Sequence, residues 1–215
     1  MSGTTKLGKA TAGLMAVRAL VPILLFILGW LLSFMGLGGR VLSLAFDGLE
    51  VLLSLVCGIA LLVFIYKMFS DLQGRTKYGP GLAVGAWFIP IANMVMPALV
   101  LRDAWRTLNN GRGGLGVVGW WLLYVAYVFS DLALKIFYQT YTKIDALWSL
   151  SQSEAGRFLI PAFGYLTLFL EVLAYAGLAV VVFQFTKKLE AEKTSASIPP
   201  AAGTSYPPQG FASAV

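Results

Sequence analysis

The chain contains no histidine and a single cysteine, Cys57. The first absence removes the side chain most often used as general base, metal ligand and physiological pH switch. A Cys/His zinc site, an HExxH helix and a Ser-His-Asp set therefore cannot be built from this chain alone. The second absence rules out an internal disulfide, so sulfur chemistry says nothing of redox compartment. Charge is scarce too: Asp, Glu, Lys and Arg make up 12% of the 215 residues, 58% are hydrophobic, and the mean hydropathy is +0.78. Soluble domains carry about a quarter charged residues. A core of this size cannot hide so much apolar surface, which leaves lipid as the solvent for much of it. No metal, cofactor or enzymatic activity is expected.

What is present reads as membrane topology. The net charge of +6 is spread between long apolar runs rather than gathered on one face, which argues against nucleic acid as a partner. Four runs, at about 17–35, 41–66, 117–138 and 158–185, reach the roughly 20 residues needed to cross ~30 Å of hydrocarbon. The first is too long for a signal-peptide core, lacks a small-x-small cleavage site and is followed by more spans, so it is expected to be retained. Pro22 falls in its first turns, where proline is tolerated. Gly36-Leu37-Gly38-Gly39 then turns the chain into the second run. Residues 1–16 are expected to form a short cytoplasmic segment, 17–190 the transmembrane domain and 191–215 a tail. Pro199-Pro200 and Pro207-Pro208, among Ala, Ser and Gly, mark that tail as disordered.

A fifth candidate, 81–101, contains Trp87–Pro97, "WFIPIANMVMP". If it does not cross and the N-terminus is cytoplasmic, twelve basic residues lie inside and three outside, with Lys135 in a span. If it crosses, the split is eight against seven. Only the first arrangement follows the positive-inside bias, giving four spans with both termini cytoplasmic. The limb 81–89 would reach ~14 Å as a helix. Pro90 then breaks it, and Asn93 could bond freed backbone groups near the bend. Gly81 and Gly85 form a small-xxx-small pair suited to close helix approach. Such a segment is either re-entrant, shielded by protein, or interfacial throughout. After Pro97, the residues Leu101, Ala104, Trp105 and Leu108 share one face, opposite Arg102, Asp103, Arg106 and Asn109. A short amphipathic helix is expected in the cytoplasmic headgroup layer, anchored by Trp105, so that the re-entrant or interfacial region runs over 81–108. Gly111–Gly116 lacks the strand and the Gly-Lys-Ser/Thr of a phosphate loop and reads as a flexible connector. Ile144, Leu147 and Trp148 in the 139–157 loop are spaced to fold onto the outer interface. The fold class is thus all-α: a polytopic membrane protein with four transmembrane helices, a Pro-broken segment and a short amphipathic helix.

Five ionisable residues fall within spans: Asp47 and Glu50, three apart; Asp131 and Lys135, four apart; and Glu171. A charge at that depth costs on the order of 3 kcal/mol, so such residues face the bundle interior, pair or carry function. Two readings stand. Glu171 could be protonated and titrate along an ion or proton path. Alternatively, Asp131–Lys135 is a structural pair, Asp47 snorkels outward and the other acids bond across helices. Three functions follow: a non-enzymatic module packing with itself or a membrane partner, a small proton- or cation-coupled carrier or channel, and an intramembrane aspartyl enzyme using Asp47 and Asp131. The last lacks any recognisable catalytic motif.

The run 87–106, "WFIPIANMVMPALVLRDAWR", resembles the signature of an uncharacterised bacterial membrane family, domain of unknown function 4328. The matching positions are Trp87, Phe88, Pro90, Asn93, Pro97, Asp103, Trp105 and Arg106. Met96-Pro97-Ala98 departs from the pattern, which has a basic or aromatic neighbour beside the proline. The resemblance covers about 41–185 in layout. It implies a multi-pass protein of the bacterial cytoplasmic membrane and brings no activity with it.

Overall fold

A computed structural model describes residues 3–36, 40–89, 92–140, 149 and 152–197. Expectations resting on Pro90, on Leu37-Gly38-Gly39, on Ile144, Leu147 and Trp148, and on the tail from 198 onward lie outside the described residues. The elements are α1 (Gly3–Phe34), α2 (Arg40–Asp71), α3 (Pro80–Gly85), a 3₁₀ turn (Ala92–Met94), α4 (Met96–Leu108), α5 (Leu115–Thr140) and α6 (Glu154–Ala196). No strand occurs among the described residues. Helices α1, α2, α5 and α6 are long and apolar enough to cross a membrane. The protein is an all-α membrane protein with four such helices.

Helix α6 is the centre, with α1 on one side and α5 on the other; α2 packs on α1, and α3 on α2. At one end, Lys9 pairs with Glu190 (3.0 Å), Lys193 with Asp71 (2.6 Å), and Arg75 with Glu192. Exposed pairs of this kind contribute about 0–1 kcal/mol each, so they set register more than stability. We call this the tail end and the opposite one, where α1 turns into α2, the hairpin end. The core lies in the tail half. Met15, Phe64, Met68, Phe69, Phe185 and Leu189 are almost wholly buried, and the buried residues of α1 stop at Pro22. Beyond that point the helices splay and leave a cavity between them.

Several boundaries differ from the sequence expectation. From Gly3 onward, the segment 1–16 is the first half of α1, with Thr4, Thr5 and Thr11 buried. Its small and hydroxyl residues let α1 press on α6: a Cβ at Gly8 would lie 2.1 Å from Thr186 Oγ1 and 2.7 Å from the Phe64 ring. Helix α6 continues to Ala196, six residues into the expected tail, because its ion pairs lie beyond the apolar run. Pro22 sits mid-helix rather than in a first turn, as does Pro161 in α6. Each removes one i→i−4 bond, freeing the carbonyls of Arg18 and Arg157 from that partner. Gly81 and Gly85 are not close-approach points, since a Cβ at either meets nothing within 4 Å; Ala83 and Ala86 make that contact instead.

The broken segment begins and ends at the same end of the bundle. The Lys77 backbone N–H donates to Asp103 Oδ2 at 2.7 Å, joining the entry of α3 to the far end of α4. At the tip, the Trp121 indole N–H donates to Met94 O at 2.9 Å, and the Trp87 ring meets Trp121 edge-on at 5.5 Å. Helix α4 is not a helix laid across the end of the bundle. Trp120, beside Trp121, bonds Ala174 O, whereas Trp105 meets the Phe185 ring. Those two contacts are about 16 Å apart along α6, and Met96 to Trp105 spans about 14 Å, so α4 runs lengthwise along the bundle. Its apolar face is buried against α5 and α6, and Trp105 is a packing residue. The connector to α5 is a shaped turn: Asn110, Gly111, Gly113 and Gly114 all have positive φ, and a Cβ at Gly114 would lie 2.9 Å from Arg102 Cγ.

The α1–α6 contact can be tested directly. Gly8→Leu is expected to destabilise the bundle by about 1–3 kcal/mol through overpacking. Gly13→Leu, whose Cβ meets nothing within 4 Å, should change stability by less than about 0.5 kcal/mol. Thermal unfolding in detergent, followed by circular dichroism, compares the two.

Candidate functional site

The boundary between packed and splayed halves is occupied by one charged residue of α1. The charge bias puts Arg18 among the twelve inside residues, but its side chain is only 3% exposed and lies within the bundle. Its Nη2 donates to Glu171 Oε1 at 2.6 Å, its Nε donates to Ser54 Oγ at 3.2 Å, and its guanidinium lies 4.6 Å above the Tyr175 ring. Three helices are thereby joined: α1, α2 and α6. Without Arg18 the inside count is eleven against three, so the charge bias survives the correction. Glu171 is consequently not a lone acid. It is the counter-ion of a buried arginine, its side chain 12% exposed.

Two cavities lie on neighbouring levels of this helix junction. The larger, about 450 Å³, opens in the hairpin half and is lined by Asp47, Glu50 and Glu171 together with Pro22, Pro161 and Tyr165. The smaller, about 290 Å³, lies in the tail half against the tip of the broken segment; Ser54, Trp87, Tyr124 and Tyr175 are among its walls. Glu50 and Ser54 are one turn apart on α2, and Glu171 and Tyr175 one turn apart on α6. On both helices the first residue lines the larger cavity and the second the smaller. Arg18 bonds to both levels, to Ser54 on one and to Glu171 on the other.

The other expected residues are placed as follows. Asp47 is exposed and Glu50 half-buried. Asp131 and Lys135 pair along α5 at 2.7 Å, with the Lys135 side chain 67% exposed on the bundle surface. Asp47 and Asp131 do not share either cavity. Among the described residues, no group of three or more Cys, Asp or Glu side chains could hold a metal ion. Of the motif positions, Asp103 closes the mouth of the broken segment and Trp87 its tip, Trp105 packs on Phe185, and Pro97 is buried at the start of α4. Phe88 and Arg106 are exposed. Asn93 does not bond freed backbone with its side-chain oxygen, which is buried without a partner among the described residues.

Arg18 was hidden by its position near the N-terminus, where a basic residue reads as a loop charge. A signal was nevertheless present. Thr11, Met15, Arg18 and Pro22 recur at i, i+4, i+7 and i+11, a stripe on one helix face that takes in the arginine.

Four membrane-length apolar helices around a buried ion pair define a polytopic helical membrane protein. A family model described as "Domain of unknown function (DUF4328)" matches residues 38–187, about seven-tenths of the chain, and the chain belongs to that family. No curated protein and no solved structure matches it. Helix α1, which supplies Arg18, lies outside the matched stretch, whereas Glu171 and Ser54 lie within it.

Removing one member of a buried pair leaves the other uncompensated. Arg18→Met or Glu171→Gln alone should each cost about 3–5 kcal/mol, and the double variant should recover most of that loss. Double-mutant thermal unfolding in detergent measures the coupling; additive losses would show that the two groups act independently.

Proposed function

We propose that this protein is a non-enzymatic membrane module of the bacterial cytoplasmic membrane that packs with a second copy or another membrane protein. The observation that carries this reading is the Arg18–Glu171 pair. Glu171, which lines the larger cavity, is committed to a counter-ion and a helix junction, and no carboxylate lines the smaller cavity. The broken segment supports the same reading: it is held at its mouth by Asp103 and at its tip by Trp121 and Met94, as a rigid contact element would be. In this proposal both termini are cytoplasmic, the segment 81–108 is re-entrant, and lipid is the surrounding solvent. The meeting of Lys77 with Asp103 supports re-entry, because a crossing segment would separate those residues by the membrane. Nucleic acid has no part in it.

A second reading is favoured by one observation. Asp47, Glu50 and Glu171 line a common cavity of about 450 Å³, and broken helices line substrate sites in transporters. A proton- or cation-coupled carrier would use that acidic mouth, with Glu171 released from Arg18 during the cycle.

Vesicles carrying the full chain and an internal pH dye distinguish the two. Under an imposed gradient, proton entry and cation-dependent proton movement are expected to equal those of protein-free vesicles. A flux lost in Glu171→Gln, with that variant still folded, would replace the module by the carrier. For topology, side-specific labels at Arg112 and at the last residue are expected to report the cytoplasmic face; opposite faces would end the re-entrant reading.

A further inference from the structure

We infer that the larger cavity is a binding site for an amphiphilic organic cation, an ammonium group carried on an apolar body. Its volume of about 450 Å³ lies within the range of small-molecule sites. Each of the four long helices contributes one aromatic ring to its walls: Phe26 of α1, Phe46 of α2, Tyr138 of α5 and Tyr165 of α6. The Phe26 and Tyr165 rings meet edge-on at 5.9 Å and bridge α1 to α6. Both residues are about half exposed, so a ligand can reach the cavity there.

The charge on these walls has one sign. Asp47, Glu50 and Glu171 line the cavity, and no lysine or arginine does. Arg18 is matched to Glu171 by their ion pair at 2.6 Å. Glu50 interacts electrostatically with both members of that pair, whose opposite charges leave it little net attraction. Neither Asp47 nor Glu50 makes an ion pair or a hydrogen bond among the described residues. One cation thus stands against three carboxylates within spans, where unmatched charge is costly, and a positive ligand would supply the balance. The rings and the volume decide which cation. Among the described residues no three acids converge closely enough to hold a metal ion. A small hydrated ion gains little from aromatic walls, whereas an alkylammonium gains both from the ring faces and from burial of its apolar part. Binding of this kind needs no transport, so an absent flux leaves it intact.

The test uses the full chain in nanodiscs of zwitterionic lipid and two probes of nearly equal shape. Benzyltrimethylammonium carries the charge; neopentylbenzene has carbon in place of its nitrogen. Against protein-free nanodiscs, the ammonium is expected to raise the thermal midpoint and to bind at least about tenfold more tightly than the hydrocarbon. Asp47→Asn combined with Glu50→Gln should abolish that preference. Tyr165→Leu, at an exposed position, should weaken ammonium binding by roughly two- to thirtyfold. It decides the matter should the double variant fail to fold. Equal binding of the two probes would mean a groove for lipid chains. No binding of the ammonium would mean that water, protons or Arg157 answer the acids. Unchanged ammonium binding in the folded double variant or in Tyr165→Leu would place it elsewhere. Displacement by magnesium chloride, but not by sodium chloride of equal ionic strength, would mean a metal site. Each of these overturns the inference.

Discussion

Everything in this bundle is arranged around a guanidinium that cannot stay alone in hydrocarbon. An arginine at mid-helix is among the most costly residues to bury in lipid. The chain answers with a carboxylate from α6, a hydroxyl from α2 and the face of a tyrosine, all within reach of one side chain. Ion pairs of this sort add little net stability over a well-packed apolar core, but their partners must be in register or the penalty falls due in full. Arg18 is therefore better understood as a specifier of how α1, α2 and α6 align than as a source of stability. The packing on either side agrees with that role. Toward the tail end the helices close up over Gly8; toward the hairpin end, past Pro22, they part.

The middle of the chain meets a second constraint, the need of every backbone group removed from water for an internal partner. Between α3 and α4 the backbone lacks the partners of a continuous helix, and the neighbouring helix supplies one directly: the indole N–H of Trp121 donates to the carbonyl of Met94. Tryptophans 87, 120 and 121 gather beside Met94, with ring centroids 5.5–5.6 Å apart. Large, rigid side chains suit this task because they shield backbone over a wide area and can still donate one hydrogen bond. The sharp reversal at Asn110–Gly114 then brings α5 alongside α4, using the positive φ angles that glycine adopts at no steric penalty.

Much of this architecture was readable from composition and periodicity, because lipid imposes length and hydropathy on each span with few exceptions. The four long helices and the interruption at 87–97 follow from such rules. Less legible were features set by packing between distant segments. Beyond its place in the stripe Thr11-Met15-Arg18-Pro22, nothing local distinguishes Arg18 from a flanking charge, since its partner lies in the last helix. Helix α4 was legible as amphipathic from Leu101, Ala104, Trp105 and Leu108, but amphipathicity alone does not say whether the apolar face meets lipid or protein. Gly81 and Gly85 show the same limit: spacing marks where helices can approach, and only the assembled bundle decides that they do so at Gly8, and at Gly177, where a Cβ would lie 2.9 Å from the Trp120 ring.

The separation of Arg18 from its counter-ion has a consequence for manufacture. The two residues are 153 positions apart, so at a synthesis rate of about 5–20 residues per second the arginine is made on the order of ten seconds before Glu171 exists. Throughout that interval the first helix holds an unneutralised cation and cannot settle at its final depth. It has to wait beside the insertion machinery, or with its side chain stretched toward the headgroups, until the last helix arrives. Of the four long helices described, the first to be made is thus among the last to be seated.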